Sequence, residues 1–278
     1  MKIIRTNGLP ANIYLDVYGN GEPVLFLHGG PGCCHDSFAP FFRPLAEHCQ
    51  VIYFDQLGCG QSDWNMPGEY HLDDELAVIE QIREHLGHQQ LTVVGESWGT
   101  MLGLQYASKF PQRVKRLILL SSVGYGMEQM NLFGSRLMEK VSAAHKHQLA
   151  DIDMQRKSKS IDAATALALS QQILNPYYLH DQINLPKVIS QPINFEQHLR
   201  VISRFDEELD YLTRLDDLHQ VEIHMYQATG DLINDRDILS ILGDKLLPAA
   251  ITAVPECGHW IYLEQQEYIN AEILRLVS

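Results

Sequence analysis

The sequence is short of positive charge: 21 Lys and Arg face 35 Asp and Glu, a formal net charge of −14. Nucleic acid and anionic membranes both call for a basic patch, so neither is expected as the main partner. The five cysteines include no CxxC pair; Cys33, Cys34, Cys49, Cys59 and Cys257 form an odd, scattered set. That excludes a disulfide framework and favours reduced thiols in a cytoplasmic protein. Long apolar runs are missing too. Segments such as 25–27 and 117–120 are far too short to span a bilayer, and the opening MKIIRTNGLPANIYLD lacks the apolar stretch of a secretory signal. There is no internal repeat or low-complexity tract, and nothing in the pattern specifies an oligomeric state. With 45% hydrophobic and 20% charged residues the composition is that of an ordinary globular chain, not a collagenous or disordered one. A length of 278 residues fits either two small domains or one large α/β unit.

What is present is alternation. Short apolar runs at 24–28, 51–54, 91–94, 117–121, 223–228 and 251–254 predict buried strands. Between them, Leu72, Leu76, Ile79, Ile82 and Leu86 recur at helical spacing, with Gly87 as a stop. Residues 100–110 predict a second helix closed by Pro111, and 263–277 a final amphipathic one. Strands alternating with helices imply a mostly parallel sheet covered on both faces. The rhythm breaks from 123 to 218, where helical stretches at 128–144 and 161–174, an NPYY turn at Asn175 and a charged stretch at 204–217 replace strands. The economical reading is an α/β core from 1–122 and 219–278 carrying a helical cap insertion at 123–218, because the last strands are too few to form a sheet alone.

Gly95-Glu96-Ser97-Trp98-Gly99 follows the apolar run 91–94 and precedes a helix. A G-x-S-x-G element between strand and helix is a nucleophile elbow: a tight turn holds the Ser97 hydroxyl clear of the backbone beside a helix N-terminus. His28-Gly29-Gly30-Pro31-Gly32 follows another strand. Such a loop can aim a backbone N–H at a carbonyl oxygen, so the N–H groups of Gly30 and Trp98 are the expected oxyanion donors. A phosphate cradle is disfavoured, since neither GxxxxGK[ST] nor a helix-opening GxGxxG occurs here. A serine nucleophile needs a base and an orienting acid. Of 13 histidines, His259 stands in Cys257-Gly258-His259-Trp260, after the last predicted strand, where a Ser…Asp…His chain order puts the base. Asp231, Asp235 and Asp237 all follow the preceding strand. Asp231, the first carboxylate past it, is the preferred acid, with Asp235 the alternative and Asp237 read as a helix cap.

Taken together, LHGGPGCCHDSF at 27–38, YFDQLGCGQSD at 53–63, the elbow with the segment up to Leu120, and CGHW at 257–260 resemble the proline iminopeptidase (prolyl aminopeptidase) family of α/β-hydrolases. The resemblance implies Ser97 as nucleophile, His259 as base, and Gly30 and Trp98 as oxyanion donors. The interval from Asp231 to His259 is similar to that family's and implies Asp231 as the acid. The acid loop departs from the family's usual G-x-x-D, because Gly230 directly precedes Asp231. Family peptidases hold the substrate amine with cap glutamates, which makes Glu196 the expected substrate-binding acid, with Glu207 and Glu208 behind it. The implied substrate is a short peptide or amino-acid amide, proline first, cleaved without metal or organic cofactor; an esterase of the same fold is the alternative, and a non-catalytic ligand-binding protein a weaker one. Asp55 reads as a structural buttress. His145-x-His147 lacks further ligands at metal-binding spacing, and Met127, Met130 and Met138 read as adaptable packing.

Overall fold

The computed structural model describes residues 2–5, 11–64, 68–209, 215–242 and 250–278. Eight strands form one sheet: β1 (Lys2–Arg5), β2 (Asn12–Tyr18), β3 (Pro23–Leu27), β4 (Gln50–Phe54), β5 (Leu91–Glu96), β6 (Val114–Leu120), β7 (Glu222–Ala228) and β8 (Ala250–Val254). Their order is β1-β2-β4-β3-β5-β6-β7-β8. From β4 onward in that order every pair is parallel, whereas β1 and β2 add an antiparallel edge. The six expected strands are all present. β1 and β2 are not among them: NIYLDVY of β2, which lies between β1 and β4, mixes polar with apolar residues and so shows no continuous apolar run.

The central strands are buried on both faces. Along β3, Leu25 and Leu27 point into one core layer and Val24 and Phe26 into the other; on β6, Leu117 and Leu119 oppose Ile118 and Leu120. Period-two alternation with both faces covered gives continuous apolar runs, each such side chain contributing about 1.5–3 kcal/mol. Helices α1 (Leu72–His85) and α2 (Trp98–Lys109) pack on the first layer, and the helix Gln266–Val277 on the second. That last helix was expected as one piece from 263. Instead a short turn, Ile261–Glu264, precedes it.

Between β6 and β7 the described residues form helices and no strand. The longer ones are α3 (Met127–Lys140), α4 (Ala143–Lys157), α5 (Ala163–Leu174) and α6 (Phe195–Ile202), with short 3-10 turns between α5 and α6, and two single-turn helices, Phe205–Glu208 and Leu215–Leu218, follow. The single helix expected over 128–144 ends at Lys140. Val141 is extended, and Ser142 opens a new helix by accepting the His145 N–H at 3.2 Å. Asp162 and Asn194 cap α5 and α6 in the same way. Residues 210–214 of the charged stretch lie outside the described residues. No helix among the described residues is long and apolar enough to cross a membrane.

One buried acid bears on stability. Glu75 on α1 is 1% exposed, and its carboxylate accepts the Leu57 N–H at 3.1 Å and the Tyr70 hydroxyl at 3.3 Å, anchoring the loop after β4. Burial pushes its pKa up to about 8. The folded state therefore holds a proton that the unfolded chain releases near its ordinary value, so this group's contribution to stability declines as pH rises from about 4.5 to about 8. Glu75→Gln should gain stability relative to wild type across that window, read from urea unfolding at pH 5 and pH 8. A variant that loses the same stability at both values would show that the glutamate is held as a charged acceptor.

Candidate active site

β5 runs into α2 through a single residue, Ser97, whose φ of 52° and ψ of −117° are rare for a residue with a side chain. Only glycines fit around it. A Cβ on Gly95 would fall 2.3 Å from the Gly99 carbonyl oxygen, and one on Gly99 would fall 2.2 Å from that of Leu27. The elbow thus presses directly on the end of β3, and the Ser97 hydroxyl projects into a cavity above the sheet.

Ser97 Oγ lies 2.9 Å from His259 Nε2. On the other side of the ring, His259 Nδ1 is 3.1 and 3.0 Å from the two Asp231 oxygens. Asp231 also accepts the Leu232 N–H at 2.6 Å and a Gln227 side-chain N–H at 3.3 Å. A carboxylate at Nδ1 keeps the proton on that nitrogen and leaves Nε2 free to accept from a hydroxyl. Burial opposes charging of His259, but the Asp231 charge and hydrogen bond outweigh it and hold the imidazole above its ordinary value.

The acid loop and the histidine loop are joined through their backbones. Thr229 N–H donates to the Val254 carbonyl at 2.9 Å and Gly230 N–H to that of Cys257 at 3.2 Å, so the shortened Gly230-Asp231 turn delivers the carboxylate to the imidazole. Asp235 and Asp237 lie elsewhere, in the first turn of α7 (Asp235–Leu242). Asp237 accepts the Asn234 N–H at 3.0 Å and is paired with Arg136 of α3.

Gly30 lines the same cavity, and Trp98 is the first residue of α2, where an N–H has no intrahelical acceptor. The Trp98 indole is fully buried, stacked on Phe205 at 4.9 Å and donating to Gln56 Oε1 at 2.9 Å. Gln56 in turn donates its N–H to His28 Nε2 at 3.1 Å and its side-chain amide to the His28 carbonyl at 2.9 Å. Burial pulls the His28 pKa down to about 4, so this ring stays a neutral acceptor. His28, Gln56 and Trp98 thereby knit the glycine-rich loop, the loop after β4 and the elbow into one frame. Asp55, fully buried, accepts from His35 N–H (2.9 Å), His35 Nδ1 (2.8 Å) and Gln61 N–H (2.8 Å), and braces the same loop.

With this geometry in place, the chain can be set beside known proteins. Residues 22–266 match the alpha/beta hydrolase fold family. The chain belongs to that family. A curated proline iminopeptidase of Clostridium botulinum is 36% identical over 107 residues, a match covering 38% of this chain and 36% of that protein. The proline iminopeptidase of Lactobacillus delbrueckii subsp. bulgaricus is 27% identical over 271 residues, covering 92% and 88% respectively. The first match therefore spans little more than a third of its relative, the second most of it. The structure of a proline iminopeptidase from Mycobacterium smegmatis aligns over 99% of this chain and 97% of its own, with a TM-score of 0.66 at 18% identity, a likeness of fold.

In this α/β-hydrolase the cavity over Ser97 measures about 290 Å³ and is walled largely by apolar groups, among them Phe133, Leu167, Tyr178 and Ile189. The three glutamates expected to bind substrate do not line it. Glu196 is 78% exposed on α6 and paired with Arg200 one turn away at 2.9 Å. Glu207 is 73% exposed beside Arg204. Glu208 is turned toward the start of α1, accepting from His71 Nδ1 at 2.8 Å and the Leu72 N–H at 2.6 Å. Helical periodicity explains the outcome: the apolar face of α6 buries Val201 and leaves Glu196 on the wet side. Among the described residues, the carboxylate that does line the cavity is Glu96, inside the elbow itself.

The five cysteines are free. Burial pushes Cys33, Cys34 and Cys257 up to about 12, so the thiols flanking the site are protonated at neutral pH. His145 is engaged with the Tyr177 hydroxyl at 2.8 Å, and no cluster of His, Cys, Asp or Glu among the described residues is placed to hold a metal. Sequence reasoning missed three supports of the site. Gln227 bridges Ser122, Asp231 and Ile233, and its signal was a lone amide in the apolar β7. Nothing in the sequence marks Gln56, or Glu264, whose carboxylate accepts the Gly258 N–H of the histidine loop at 2.7 Å, as a support.

Proposed function

We propose that this chain is a serine hydrolase that releases the N-terminal residue, proline favoured, from short peptides or amino-acid amides. The observation that carries the reading is the unbroken hydrogen-bonded line from Ser97 Oγ through His259 to Asp231 beneath a largely apolar cavity. Ser97 attacks the substrate carbonyl as His259 Nε2 takes its proton, and Asp231 stabilises the resulting imidazolium. The Gly30 and Trp98 N–H groups receive the oxyanion. His259 then protonates the departing amine, and water, activated by the same base, releases the acyl group. The reading invokes no metal or organic cofactor. Within it, residues 123–218 act as a cap over a core of 1–122 and 219–278, and the reduced thiols suit a cytoplasmic enzyme.

Similarity to proline iminopeptidases along most of the chain supports the aminopeptidase over other chemistries of this fold, since fold alone does not fix substrate. A carboxylesterase is the second reading, favoured by one observation: the cap glutamates stand away from the apolar cavity. A substrate panel separates the two. Prolyl, alanyl and leucyl arylamides should be hydrolysed with the prolyl compound fastest in kcat/KM. Turnover confined to short acyl esters that lack an amine would replace the aminopeptidase reading with the esterase.

A further inference from the structure

Glu96 is an ionisable group in the cavity that the steps above leave without a task. It is the last residue of β5, 6% exposed, and its carboxylate shares the cavity wall with Ser97 and His259. Its position is fixed by the bare backbone of Gly29. A Cβ there would fall 2.3 Å from Glu96 Oε2 and 3.2 Å from Ser97 Cβ, so the carboxylate lies alongside the nucleophile's own side chain. The Gly29 N–H serves this carboxylate, but Oε1 is buried without any hydrogen-bond partner. No lysine or arginine among the described residues lines the cavity.

A carboxylate buried in this way is costly, because desolvation is not offset by a full set of donors. Burial pushes its acid up to about 7, with His259 opposing, Asp231 adding and the Gly29 N–H opposing. The side chain lines the cavity beside Ser97, so the cavity is the side from which a further donor can approach it. A carbonyl poised over Ser97 brings its own α-substituents with it: in an aminoacyl group the nitrogen is held about 2.5 Å from the carbonyl carbon by covalent geometry. A carboxylate beside Ser97 is therefore within reach of that nitrogen, which a glutamate on the outer face of α6 is not.

We infer that Glu96 receives the α-amino group of the substrate's N-terminal residue, and so sets the preference for acyl groups that carry a cation. The inference rests on the aminopeptidase reading. It replaces the cap glutamates with a group from the elbow itself, and predicts selection by charge at the α position with tolerance for apolar bulk beyond it.

The test compares aryl esters of proline and of cyclopentanecarboxylic acid, which share a leaving group and a ring and differ in the amine. For wild type the ratio of kcat/KM values, proline over cyclopentane, should be well above one. In Glu96→Gln that ratio should fall about 30-fold or more, the loss expected when one partner of a buried charge pair is removed. Glu96→Asp keeps the charge and should recover part of it. A competitive-inhibition series adds a binding readout: prolinamide should lose affinity for Glu96→Gln relative to cyclopentanecarboxamide by a similar factor. An unchanged ratio in a folded Glu96→Gln variant would overturn the inference while leaving the aminopeptidase reading intact. If wild type itself favours the cyclopentane ester and ignores prolyl arylamide, the aminopeptidase reading fails, and the inference with it.

Discussion

Ser97→Ala should remove turnover almost completely while leaving the protein folded. In the proposed reaction the hydroxyl supplies the bond-forming oxygen, and among the described residues its hydrogen bond to a side chain is the 2.9 Å contact with His259. Loss of a nucleophile from such a unit costs up to about 10⁶ in kcat. Structure should be little affected. The elbow's shape comes from Gly95 and Gly99 and from the Ser97 N–H bonded to the Leu120 carbonyl at 3.1 Å, all of which alanine keeps. Equal melting temperatures with activity below a thousandth of wild type would fit. Activity above a few per cent would mean that another atom attacks the substrate.

Asp231→Asn should be nearly as damaging, at roughly 10⁴ in kcat, because an amide can hold the imidazole in the tautomer that points a proton at Ser97. A second signature comes from pH. In wild type, activity should rise as His259 loses its proton, at a pH above the ring's ordinary 6.5, since the base must be neutral to accept from the serine. Asp231 is the main group raising that value against burial. With the charge removed, the ascending limb of the residual activity should move to lower pH. Asp235→Asn is the control: its side chain sits in the first turn of a helix beyond the acid loop, and the substitution should leave kcat within a few-fold of wild type. A larger loss from Asp235→Asn, measured side by side, would reassign the acid.

The parts of this molecule that could be read from sequence are those where one residue type answers one local demand. Gly95 and Gly99 mark a backbone approach that admits no Cβ, and continuous apolar runs such as Leu117–Leu120 mark strands with both faces covered. His259 and Asp231 could be located because chain order and strand ends fix where loops of a parallel sheet emerge. Which acids line the cavity is not legible in the same way. Glu196, Glu207 and Glu208 sit on short helices whose rotation is set by what packs beneath them, and a single sequence does not give that rotation. Glu96 was in plain view between Gly95 and Ser97. The role inferred for it rests on its place in the cavity wall and on the lack of a partner for Oε1, both of which depend on the folded chain.

Glu264 binds two neighbourhoods with one carboxylate. It accepts the Gly258 N–H at 2.7 Å on the histidine loop, and the His180 and Asp181 N–H groups at 3.0 and 2.9 Å between α5 and α6. The His259 N–H itself donates to the Tyr178 carbonyl at 2.8 Å, and Phe133 of α3 stands 4.8 Å from the imidazole ring. The roof of the cavity is therefore also the scaffold of the base. An outward displacement of residues 178–181 would break the hydrogen bonds to His259 and Glu264 that hold the histidine loop. A cavity wall that doubles as a support of the base cannot shift without loosening that base.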